Sequence, residues 1–177
     1  MIINSSIDIQ DTELQGMLEI VDKAVGIERF AYPMYLNAPR PPVENYAAVR
    51  CRLSVNPGLD ERKYTQNDDG TLTFKTMGIR ILTFDILFVR EGNEVVDFDN
   101  SFYRPDVKAL MKRHGFAGPL LKMPTSLSNI NLETNWEIRR GITCQFNVRR
   151  IQESIIGSIS EVKVNGELFV DDENIKI

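Results

Sequence analysis

The sequence predicts an α+β fold, a mostly antiparallel β-sheet with helices packed on one face. Two kinds of pattern predict it. Stretches such as "YAAVRCRLSV" and "NWEIRRGITCQFNVRR" alternate apolar and polar residues with period two, as half-buried strands do. Elsewhere apolar residues recur at spacings of three and four, as on one face of a helix. The order of elements is helix, strand, long strand or hairpin, helix, long strand, strand. Helices and strands do not alternate regularly, which favours α+β over a parallel α/β sheet. With 177 residues, 42% hydrophobic and 26% charged, the chain can bury one core, so disorder is not expected. A single domain over residues 1–177 is expected, its core at about 10–168 between a short N-terminal arm and a polar C-terminal tail.

Residues 11–26 read as the first helix, through Leu14, Met17, Leu18, Val21 and Val25. Asp11 or Thr12 can cap it, Thr12 with Gln15 fits a capping box, and Gly26 suits its end. Glu13, Glu19, Asp22 and Lys23 are expected on its solvent face. "FAYPMYLNAPRPP" has four prolines in thirteen residues and reads as a connector. In 46–55, Ala47, Val49, Cys51, Leu53 and Val55 face one way, Ala48, Arg50, Arg52 and Ser54 the other. A polar loop, Asn56 to Gly70, follows. Residues 71–90 are strand-like, but their alternation changes phase near Gly78, which predicts a bulge, a bend or two successive strands. "EVVDFDNSFYR" has partial helical character, and 105–115 reads as a short helix opened by Pro105 and closed by Gly115. Residues 116–134 are rich in Pro, Ser and Asn and read as loop with at most one short strand. In the long strand that follows, Trp136, Ile138, Ile142, Cys144, Phe146 and Val148 share the apolar face, interrupted by Arg140. Arg139, Thr143, Gln145, Asn147 and Arg149 share the polar one. Asn165-Gly166 signals a closing hairpin.

Little here points to reaction chemistry. Phosphate-binding glycine loops, nucleophile elbows and zinc-helix motifs are absent from the sequence. The single histidine, His114, stands at a helix end, where the dipole favours it, without the Cys or carboxylate company of a zinc site. The acidic groups Asp68-Asp69, Asp97-Asp99 and Asp171-Asp172-Glu173 lack calcium-loop spacing and read as solvated turns and tail. No catalytic, metal or cofactor residues are therefore assigned. Cys51 and Cys144 both fall on apolar faces and are expected to be buried free thiols. A net charge of −4 argues against gripping nucleic acid. No apolar run approaches a membrane span and "MIINSSIDIQ" has no signal-peptide character, so synthesis in the cytosol and no membrane partner are expected.

The C-terminal third carries a resemblance. Leu127-Ser128-Asn129-Ile130, then Trp136-Glu137-Ile138-Arg139, the strand Gly141 to Arg150, and the close Ile159 to Gly166 resemble the last segment of the tailed-phage neck or tail terminator proteins. Upstream, "RPPVENYAAVRCRLSV" is similar to the family's approach to its first strand, and "SFYRPDVKALMKRHGF" to its mid-chain helix pair. The likeness spans about residues 10–168. Where the family has a regular helix this chain has "VVDFDNSF", and its tail after Gly166 is longer.

The resemblance implies a tail-terminator-like fold and a non-enzymatic virion protein of the tail or neck. It implies a homo-oligomeric ring, typically a hexamer, on the end of the tail tube. Its partners would be the tube protein, head-completion, connector or collar proteins and, in contractile tails, the sheath. DNA would pass through without specific binding, which suits an acidic chain. The interface residues then expected are Asp60, Arg62, Lys63 and Tyr64 in the polar loop, Trp136, Arg139 and Arg149 on the long strand, and Ile175 and Ile177 of a tail that could add a strand to a neighbour. Other readings are a baseplate or other tail-completion subunit, and a small cytosolic enzyme or ligand-binding domain.

Overall fold

The computed structural model of the chain describes residues 9–34, 45–89, 92–132, 135–156, 167–170 and 173–176. Helix α1 spans Asp11–Val25 and buries Leu14, Met17, Ile20, Val21 and Ala24. Its cap is Gln10, whose backbone N–H donates to Glu13 Oε2 at 2.9 Å, in place of the expected Thr12–Gln15 box. Gly26 ends the helix at φ 80°, a left-handed conformation that costs glycine little. The Asp22 carboxylate then accepts the backbone N–H groups of Arg29, Phe30 and Ala31, leading the chain into the sheet.

The main sheet has six strands in the order β1-β2-β4-β6-β5, with β3 also pairing β4. These are β1 Ala31–Pro33, β2 Ala47–Val55, β3 Glu61–Gln66, β4 Leu72–Val89, β5 Phe116–Leu132 and β6 Asn135–Ile156. β1 runs parallel to β2, whereas β2–β4 and β5–β6 are antiparallel. Helices α2 (Glu94–Ser101) and α3 (Pro105–Arg113) join α1 over the core. The fold is therefore α+β with a mostly antiparallel sheet, and α2 forms where the sequence has only partial helical character.

Several elements differ from the sequence reading. The proline-rich connector contributes β1, and Pro33 is tolerated because β1 is an edge strand. The polar loop contains β3. β4 is one continuous strand through Gly78. The expected loop at 116–134 is β5, the opposite edge, where Pro119 and Pro124 remove donors the interior of a sheet would need. Register shifts fall at Ala117/Leu121 and Thr125/Ser128. β6 continues past Arg150 to Ile156. The Asn165-Gly166 hairpin and Ile177 lie outside the described residues. A two-stranded antiparallel sheet pairs β7 (Glu167–Val170) with β8 (Glu173–Lys176).

The chain divides into two compact units, residues 1–60 with 77–150 and residues 61–76 with 151–177. In the first, Ala47, Val49, Cys51, Phe84, Ile86, Phe88, Cys144, Phe146 and Val148 meet the helices. Phenylalanines run through this core: Phe146 lies 6.3 Å from Phe84, 6.0 Å from Phe102 and 5.6 Å from Phe116 between ring centroids. A smaller cluster of Tyr46, Ala48 and Val89, with Tyr32, Met34 and Leu87 against it, also packs in this unit. In the second unit every side chain of β3 is exposed, the Tyr64 and Phe74 rings lie 4.9 Å apart, and Lys75 pairs with Glu153 at 2.5 Å.

Glu13 corrects the expectation of a solvent-facing residue: it is 7% exposed and binds Arg150 through both carboxylate oxygens, at 2.8 and 2.6 Å. A carboxylate taken out of water needs such a partner.

Candidate assembly surfaces

A sheet has two faces, and strand register decides which residues reach each. In the first unit, Lys122 pairs with Asp99 of α2 at 2.6 Å, so the even-numbered positions of β5 and β6 near it face the helices. The odd-numbered residues therefore face away. Thr143 donates to Asp85 Oδ1 at 2.8 Å and Gln145 to Thr83 at 3.2 Å, which ties β6 to β4 across that second face. Asp85 Oδ2 accepts from Arg50 Nε and Nη2 at 3.1 and 3.0 Å, and Arg52 Nε stands 3.7 Å away. The Asp85 side chain is 5% exposed, while those of Arg50 and Arg52 are 49% and 53% exposed. Two guanidiniums thus share one carboxylate, leaving an excess positive charge at the surface.

The bulge in β2 shapes this face. Cys51 pairs with Phe84 on the core side, the register shifts, and Leu53 then pairs with Thr83 and Val55 with Ile81. A register slip of one residue moves side chains to the other face of a sheet. Leu53 and Val55, expected in the core, are therefore turned outward and exposed. Ile79 of β4 and Leu121 and Met123 of β5 are exposed as well; Leu121 pairs with Gln145 and Met123 with Thr143, which puts both on this outer face.

The residues expected from sequence fall in different places. Asp60 does not stand open. It binds Arg80 Nη1 and Nη2, both at 2.8 Å, and accepts from Asn56 at 3.2 Å. A Cβ at Gly78 would fall on that Asp60 carboxylate, so a side chain there would displace the Asp60–Arg80 pair. Arg62, Lys63 and Tyr64 lie together on β3, all exposed. The turn beyond β3 is held by Asp69, which accepts from the Thr71 backbone N–H and hydroxyl. Arg139 pairs in register with Ser128 and is half-exposed; Arg149 is exposed and donates to the Met77 sulfur. Trp136 lies opposite Asn131 of β5 and Ile175 opposite Leu168 of β7.

Asp85 and Glu13 are the residues that sequence reasoning missed. A signal for Asp85 existed: it is a lone carboxylate inside the apolar run "LTFDILF", and Arg50 and Arg52 sit on one face of the neighbouring strand pattern.

No side-chain cluster among the described residues has the form of a reaction centre. His114 caps α3, with Nε2 2.9 Å from Glu19 Oε2 and its ring against Gly16. In the groove between α1 and α3 the charges pair with each other, Lys23 with Asp106 and Arg113 with Glu19. No group of three or more potential metal ligands occurs among the described residues. Burial pushes the Cys51 thiol up to about 11 and the Cys144 thiol up to about 12, so both are inert hydrophobes at neutral pH. Among the described residues no helix is long and apolar enough to cross a membrane.

The outward features of the chain are an arginine-and-apolar sheet face on the first unit and an exposed polar strand on the second, surfaces of the kind by which assembly subunits make contact. Residues 12–173 match the sequence model of the phage neck terminator proteins, and the chain belongs to that family. Comparison with curated proteins finds no match. The family is structural and not enzymatic, and membership implies a place in the tail or neck of the virion with assembly partners there.

Proposed function

We propose that the chain forms a closed ring, six-fold, that caps the tail tube and joins it to the head-completion, connector or collar proteins. In a contractile tail it also meets the sheath. The observation that carries this reading is the family match over residues 12–173. The net charge of −4 supports a channel that lets DNA pass, since a basic lumen would hold the phosphates.

The exposed strand β3, with Arg62, Lys63 and Tyr64 beyond Asp60, contacts the tube or the adjoining ring in this reading. Trp136, Arg139 and Arg149 meet a neighbouring subunit. The tail, through Ile175 and Ile177, adds a strand to a neighbour's sheet.

Native mass spectrometry over a range of concentrations, with and without tail tubes, tests the ring. A closed six-subunit species, alone or induced by tubes, is the expected result. A monomer or dimer at every concentration, indifferent to tubes, would overturn it.

A further inference from the structure

The outer sheet face of the first unit presents Leu53, Val55, Ile79, Leu121 and Met123 at 39–50% exposure beside the Arg50–Asp85–Arg52 cluster. These side chains flank a polar middle of Thr83, Asp85, Thr143 and Gln145, and so many exposed apolar residues on one face, beside charge, mark a contact with another macromolecule. The same unit carries a surface of opposite charge on its helix layer. α2 turns Phe98 and Ser101 inward and leaves Val96 56% exposed, with Tyr103 just beyond it at 79%. Its charged residues Glu94, Asp97 and Asp99 are all acidic, with none basic in its last turn. Lys122 answers Asp99, Arg104 stands within the field of Asp97 but is held by Asp106, and among the described residues Glu94 meets the neutral Asn45 amide. One surface is apolar with surplus positive charge, the other apolar with surplus negative charge, and they lie on opposite sides of the sheet.

We propose that the outer sheet face of one copy seats the α2 surface of the next, with Arg52 meeting Asp97. The proposal rests on the ring reading above and names its lateral contact. Because each copy gives one surface and receives on the other, the contact is heterologous, the kind that closes into a ring when the rotation permits. The β2 bulge, by turning Leu53 and Val55 outward, builds half of it.

The test uses the full chain, under the conditions in which wild type forms its ring. Arg52→Glu places like charges across every contact, and so does Asp97→Lys. Asp97→Lys is expected to keep the wild-type melting temperature, whereas Arg52→Glu, which sets a second carboxylate beside Asp85, is expected to lower it; at a temperature where both are folded, each needs at least about tenfold more protein to assemble. Mixing the two variants restores attraction at every contact of an alternating ring. The introduced glutamate of one copy meets the introduced lysine of the next, and at the following contact Arg52 meets Asp97 as in wild type. Rings of strictly alternating composition are therefore expected. The double variant in one chain is likewise expected to assemble. If wild type forms rings and the single variants form them equally well, this seat is overturned while the ring stands. If the variants form rings but lose capping of tubes, the tube protein covers this face and the seat is again overturned. A wild type that forms no ring under any condition, tubes included, removes the ring reading and the seat with it.

Discussion

Breaking the Glu13–Arg150 pair would strand a charge where water hardly reaches. The two side chains are 8% and 12% exposed, and the pair spans 137 residues of sequence. Glu13→Ala is expected to cost about 3–5 kcal/mol in urea unfolding, because Arg150 stays buried without its main counter-charge. Replacing both, Glu13→Leu with Arg150→Met, should recover most of that and leave a deficit of about 1 kcal/mol from the lost bond to the Gln10 N–H. Helical periodicity could not place Glu13 inside, since what buries it comes from the far end of β6. The thiols give a second residue-scale expectation. Their ordinary value is 9.0, and burial raises Cys51 to about 11 and Cys144 to about 12. Between those values the unfolded chain has released protons that the folded chain retains. Stability contributed by the buried thiols is therefore whole below pH 9 and falls as pH rises toward 11 and 12. At about pH 8, below the ordinary thiol value, a thiol reagent should label neither cysteine in the native protein and both after denaturation.

At the scale of elements, β6 decides whether the first unit folds. Phe146 is wholly buried and touches phenylalanines from β4, β5 and the end of α2. Phe146→Ala is expected to cost about 3–5 kcal/mol in the same denaturation measurement. Phe146→Asp, which buries a charge without a partner, should abolish folding, whereas Arg149→Ala on the opposite face should leave the melting curve unchanged. A folded, soluble Phe146→Asp protein would show that the strand faces are assigned the wrong way round. This strand was legible because its period of two persists from Ile142 to Val148. β5 was not, because its prolines, serines and asparagines carry turn signals that an edge strand tolerates and a central strand would not. β1 was hidden in the same way by Pro33. The β2 bulge left no trace either: Leu53 and Val55 continue the apolar alternation without a break, and the shift that turns them outward is set by pairing with β4.

For the whole molecule, sequence patterning carried the fold class and the family resemblance. The surfaces were harder to read, because a surface is defined by which strands lie side by side. Asp60 shows the difficulty: its place in a polar loop suggested an interface, but it is bound to Arg80 over Gly78. Arg62 and Lys63 are a better test of where the ring meets its axial partner. They lie on β3, whose side chains are all exposed, and the turn that follows is held by Asp69 and Asn67 without help from either cation. Reversing both charges should therefore leave the melting temperature and the mass of the ring unchanged. If β3 touches the tube or the adjoining ring, the reversed charges face the partner with the wrong sign, and the fraction of tubes capped at a fixed protein concentration should fall by at least about tenfold. The loss should be steeper at low ionic strength, where exposed charges are less screened. Unchanged capping with an intact ring would move the axial contact off β3. Loss of the ring itself would make β3 part of the lateral contact between copies.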